Sequence, residues 1–453
     1  MRGLKSTLAL VVVLAGLGAY IYFVTWKKPA DDVPGAKKQE KVFASVESDK
    51  IEEIRVTSAT GDATTLKKEG TGWQLTQPVG AKADDTEVSG ITSALSSVEV
   101  VRVIDENPSN LNDYGLSNPR IEVDFKASGD KDYRKLLIGE KTPTGGDLFA
   151  MRGGDKKVIL IAAFQESTFN KSTFDLRDKT ILKFDREKVD GIDVTTASGP
   201  GPAFAKEGND WKMTRPLQTK ADFGAVEGLV GRLQSVQMKS IVPGGEPTPA
   251  DLKKYGLDKP AAAIALNTGS SRATLQLGGK AEETTVYARD VSKPVVMTVE
   301  SALLDDLKKG ADDYRRKDLF EFRAYNATRV ELTRNGQTVV FERVKGQGEN
   351  AQDKWRRVSP TPADADRDKV DGFLSRLANM RASSFVESTA KTGLDKPVLT
   401  VVVKFDEGKK EERMTFGKEG DDIYASRPGE PGAAKTDATD FTESLKTLDE
   451  LSK

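Results

Sequence analysis

Three aspartates, Asp84, Asp222 and Asp366, stand at one register in the chain. Each follows a proline by six residues, Pro78, Pro216 or Pro360, and each proline follows a tryptophan by five, Trp73, Trp211 or Trp355. Carboxylates are the acids and bases of glycoside hydrolysis, and an indole face stacks on sugars or bases. The same residue types also serve folding: a carboxylate ahead of a helix accepts its free N–H groups, and tryptophan anchors cores. Repetition favours folding, because a catalytic group always set at a helix start recurs only if the fold requires it. No second carboxylate is singled out as a partner. The acidic pairs Glu52/Glu53 and Asp421/Asp422 sit in polar surroundings and read as solvated surface.

Much other chemistry is excluded outright. With no cysteine and no histidine, the chain has no disulfide, thiol nucleophile, imidazole base, Ser-His-Asp triad or thiolate metal site. The run "DADRD" at 364–368 imitates a calcium loop, yet Lys369 and Ser375 stand where an EF-hand needs glycine and glutamate. The lone G-T-G at 70–72 lacks a third glycine, and Walker and G-x-S-x-G motifs are missing. The 69 basic and 70 acidic residues leave a net charge of −1 with no concentrated basic face, which argues against nucleic acid as a partner. We therefore expect no catalytic, cofactor-binding or metal-binding residues and no cofactor; a small-molecule ligand is undetermined.

The elements around the motif follow from spacing. After each aspartate come Val88, Ile91, Leu95, Val98; Val226, Leu229, Leu233, Val236; and Val370, Phe373, Leu377, Met380. Steps of three, four and three place each quartet on one helical face. Then "DYGLSNP", "KYGLDKP" and "KTGLDKP" set Gly115, Gly256 and Gly393 as helix-ending residues at which positive φ carries no penalty, with Pro119, Pro260 and Pro397 leading into a strand. The segments "KLLIGEK", "TLQLGGK" and "RMTFGKE" put Gly139, Gly278 and Gly417 at a strand end, and a return strand completes a hairpin. The first two copies finish in helical tails containing "LRDK" and "RRKDL". Arg177, Asp178, Arg315 and Arg316 there suit salt bridges and hydrogen bonds at the junction with the next copy. The third copy has the helical tail without the arginine-rich ending.

A length of 453 residues suits roughly three domains. The repeats divide the chain into modules at 43–182, 183–320 and 321–453, each of α+β class: a mostly antiparallel curled sheet with a packed amphipathic helix, docked in a row. Ahead of them, 1–26 reads as a transmembrane anchor and 27–42 as a linker. Ser6 to Trp26 carries no charge, and 21 residues span about 30 Å as a helix. A cleaved signal peptide is the alternative, opposed by the length of the apolar run and the lack of an Ala-x-Ala site. The preferred orientation places a short N-terminus in the cytoplasm and the large body outside it.

The anchor, W-x4-P-x5-D, the "YGL-x-x-P" turn, the "hIG" hairpin (h, a hydrophobic residue) and "LRDK" together resemble the DUF4340 domain-containing family, uncharacterised bacterial envelope proteins often found beside gliding-motility-type ABC transport components. The likeness covers 43–453 in three copies, with Thr392 in the third where the others have tyrosine. It implies a bacterial inner-membrane protein with a periplasmic body, and other envelope proteins such as ABC transporter subunits as partners. It carries over no site residues. The expected function is a non-catalytic membrane-anchored scaffold or transport auxiliary. The alternatives are a cell-wall glycan or polysaccharide binder, and, third, a carboxylate-based hydrolase.

Overall fold

The computed structural model describes residues 40–346 and 352–452. The expected anchor at 1–26 and nearly all of the linker lie outside these residues, and no helix among the described residues is long and apolar enough to cross a membrane. The chain forms two compact units, divided between Lys179 and Thr180.

The first unit is built on one nine-stranded antiparallel sheet. On one side of Ile51–Thr57 follow Ala63–Glu69, Gly72–Gln77 and Ala81–Lys82. On the other follow Ile121–Ala127, Arg134–Lys141, Asp147–Arg152, Val158–Ala162 and, at the far edge, Arg102–Asp105. Alternation in these strands puts Ile54 and Val56, Leu66, Val123 and Phe125 on one covered face. The helix Asp85–Ser97 lays Val88, Ile91 and Leu95 onto that face, each fully buried. Full burial of such a side chain contributes about 1.5–3 kcal/mol.

The second unit contains two further nine-stranded sheets with the same strand order, spanning Gly191–Glu300 and Ala327–Thr436. Their helices, Phe223–Ser235 and Arg367–Ala378, bury Val226, Leu229 and Leu233, and Val370, Phe373 and Leu377. The last member of each expected quartet falls beyond its helix. Val98 and Val236 are C-caps and Met380 lies past Ala378, though all three are buried. The three modules differ most after the sheet. In the first two, short helices (Gln165–Phe169; Ala302–Leu307 and Ala311–Tyr314) lead the chain back to the sheet. In the third, the 15-residue helix Ala438–Ser452 packs on Arg367–Ala378 and buries Phe441 and Leu448.

Two expectations need correction. Gly139, Gly278 and Gly417 do not end their strands but lie within Arg134–Lys141, Ser271–Glu282 and Lys410–Glu419. A Cβ on Gly139 would stand 2.1 Å from the Tyr114 carbonyl oxygen, and one on Gly278 would stand 2.2 Å from that of Tyr255. The "YGL" turn is thus pressed directly onto the strand that holds this glycine, and glycine is needed for the approach of two backbones rather than for a break. The other correction is that no helix precedes Gly393. A short 3-10 helix ends at Gly115 and an α-helix two residues before Gly256, whereas Lys391 in the third copy already takes a left-handed φ of 58°, which helix geometry excludes.

Candidate functional site

The three tryptophans are buried, with 7, 1 and 2% of Trp73, Trp211 and Trp355 exposed, so no indole face is open to a sugar or base. Each strand that carries one ends at a cis peptide, Gln77–Pro78, Arg215–Pro216 or Ser359–Pro360. The chain then reaches the aspartate, which caps the helix. Asp84 accepts from the backbone N–H groups of Thr86 and Glu87 at 3.0 and 3.2 Å, Asp222 from Ala225 at 2.8 Å, and Asp366 from Lys369 at 3.1 Å. Each satisfies donors that the first helical turn otherwise leaves unpaired.

Beneath the indoles lie two carboxylates that the sequence reading passed over. Trp211 Nε1 donates to Glu227 at 2.9 Å and Trp355 Nε1 to Asp371 at 2.8 Å. Both stand five residues after the capping aspartate, and the signal was that shared acidic position; Ser89 takes it in the first module. Each carboxylate also gathers cations: Arg186 and Lys206 lie 3.2 and 3.7 Å from Glu227, Arg343 and Arg367 3.1 and 3.4 Å from Asp371. Lys206 and Arg343 further sit over the Trp211 and Trp355 rings, at 5.4 and 4.8 Å. Burial works to raise the Glu227 pKa, but the bonds from Trp211 and Arg186 and the Lys206 charge outweigh it and hold the carboxyl below its ordinary range. These clusters lock the helix to its sheet.

The arginine-rich tails act first through their backbone. In the first unit Arg177 bridges Ala83: the Asp84 N–H donates to the Leu176 carbonyl and the Asp178 N–H to that of Lys82, with Lys82 and Asp178 3.7 Å apart as an ion pair. In the second unit Arg315 bridges Ala221 in the same way, through Asp222 N–H to Tyr314 and Arg316 N–H to Lys220. The strand then continues onto the third module, where Asp318 bridges Arg381, Leu319 N–H donates to Met380 and Ala382 N–H to Lys317. A single segment, Arg315 to Leu319, therefore bridges an edge of each of two sheets, once at Arg315 and once at Asp318.

Side chains close this junction. Arg315, 4% exposed, lays its guanidinium 3.9 Å over the Phe385 ring and donates to the Pro431 carbonyl at 3.3 Å. Burial lowers its pKa, and Asp312 at 3.8 Å and Glu430 oppose that shift. Arg316 pairs with Glu321 at 2.6 Å, and Arg427 donates to the Leu319 carbonyl at 2.6 Å and pairs with Glu430 at 2.9 Å. The space they leave is about 30 Å³, room for a water molecule rather than a substrate. A larger groove of about 440 Å³ lies between Phe223–Ser235 and the short helices, lined by Gly224, Gly228, Arg232, Asp306 and Tyr314. The exposed aromatics Phe164, Phe223 and Tyr325 do not stand at corresponding positions of the modules.

Fold and junction define a tandem array of like α+β modules whose repeated residues are spent on folding and docking. The chain belongs to the family described as Domain of unknown function (DUF4340), whose model matches residues 73–212, 211–354 and 355–453. Each match opens at or beside a repeated tryptophan, part-way into a sheet, so the family frame and the sheets are offset. No curated protein and no solved structure matches the chain.

Proposed function

We propose that this chain is a non-catalytic scaffold, anchored in a bacterial inner membrane by Ser6 to Trp26, whose periplasmic modules serve an ABC-type transport system or another envelope assembly. The observation that carries this reading is the segment Arg315 to Leu319, bridged to both sheets and sealed by buried Arg315. Such a junction fixes neighbouring modules as one surface, which suits a protein that holds others in place. The capping aspartates and buried tryptophans are committed to the fold, which supports a structural reading over hydrolysis or glycan stacking.

The test is crosslinking of the full-length protein in its native membrane, followed by mass spectrometric identification of what it captures. Recovery of transporter subunits at defined module surfaces is the expected result. Recovery of cell-wall material alone would overturn the proposal, as would full activity in cells of a chain lacking the anchor and linker.

A further inference from the structure

Among the described residues, nothing pairs with an edge of the third module that the other two modules have covered. Ala83 and Ala221, 1 and 6% exposed, are covered by the tail strands that bridge them, but the equivalent Ala365 is part-exposed and Asp364 and Asp366 are exposed. Among the described residues, no backbone group pairs with the Asp366 N–H or the Asp364 carbonyl on that side, where Asp84, Lys82, Asp222 and Lys220 all have partners. The core beneath is complete: Phe441 and Leu448 of the last helix are buried in it, much as Leu176 and Tyr314 are in the other modules. What remains is backbone, in the form of an unpaired strand edge.

The chain contains a segment in the matching register. Within the second unit Asp318, bridged to Arg381, comes three residues after Arg315, which is bridged to Ala221. In the first unit Lys41 makes the bridge equivalent to that of Asp318, to Glu99, fifteen residues after Asp84 just as Arg381 follows Asp366. Three residues before Lys41 is Lys38, the counterpart of Arg315. Charge fits as well. In that register Lys37 falls opposite Asp366, and Gln39 falls opposite Asp364, which stands where the filled edges have Lys82 or Lys220.

We propose that Lys37 to Gln39 of a second copy adds to the Asp364–Asp366 edge as an antiparallel strand, with Lys38 opposite Ala365, joining copies head to tail. The Asp366 N–H donates to the Lys37 carbonyl and the Gln39 N–H to that of Asp364, as Asp222 and Arg316 do within the chain. Such a contact is heterologous, so it repeats from copy to copy. It stands independently of any role beside a transporter.

The chain's lack of cysteine makes the test direct. Two differently tagged full-length chains are coexpressed in membranes, one with Lys38→Cys and the other with Ala365→Cys, and oxidised. Residues paired between the bonds of an antiparallel ladder lie about 4.5 Å apart at Cα, within disulfide reach. The expected product is a disulfide-linked species carrying both tags, reduced roughly fivefold when Lys37→Asp, which sets like charge against Asp366, is added to the first chain. Absence of the mixed product, with both variants melting as the parent does, would overturn the proposal. So would capture of a different protein by Ala365→Cys, a link formed only within one chain when both cysteines are placed there, or a yield unaffected by Lys37→Asp.

Discussion

At the residue scale the glycines separate two kinds of constraint. Gly139→Ala forces a methyl group against the Tyr114 carbonyl, and neither backbone has room to yield; we expect a loss of about 3 kcal/mol, read from the denaturant midpoint. Gly228, in mid-helix with nothing within 4 Å of where its Cβ would be, is the reverse case. Gly228→Ala should stabilise by up to about 1 kcal/mol, because alanine lowers the entropy cost of helix formation. Glu227 supplies a pH signature. Its carboxyl is held below the ordinary range when folded, so its stabilisation is present above the unfolded value, about 4.3, and is lost as pH falls through the lower folded value. Glu227→Gln should therefore cost stability at pH 7 and lose that difference below about pH 4; a constant difference down to pH 2 would show that the ionised form carries no special weight. The sequence showed Gly139 and Glu227 as residue types only. A glycine inside an apolar run looks like a break, and only the carbonyl of Tyr114, distant in sequence, makes it a contact point.

At the scale of elements, what was legible is what is local. The spacing of Val88, Ile91 and Leu95 and the aspartate before it predict a capped helix because cap and period both lie within a few turns of one segment. Asp222→Ala removes the bond to the Ala225 N–H and should cost about 1 kcal/mol, a difference that thermal melting resolves. The tails were legible only in part. Their arginines suggested a junction, and Arg315 does reach Phe385 and Pro431. Their placement rests on backbone pairing with Ala221 and Arg381, to which any residue type except proline contributes equally, so no side-chain pattern announces it. The helix lost before Gly393 has a local cause that spacing alone conceals, the left-handed Lys391.

At the scale of the whole molecule, the account rests on the segment Arg315 to Leu319, which is bridged to both the second and third modules. A linker that merely passed between sheets would leave them to open separately, whereas a segment hydrogen-bonded to both ties its own opening to theirs. The most direct measurement is hydrogen exchange on the full-length protein, resolving the amides of Asp222, Arg316, Leu319 and Ala382, each bonded across this strand. The account predicts that these four exchange slowly, with protection approaching that of the buried inner strands around Val194 and Val401. Exchange at the rate of exposed loops, with the inner strands still protected, would contradict it and reduce the junction to a tether.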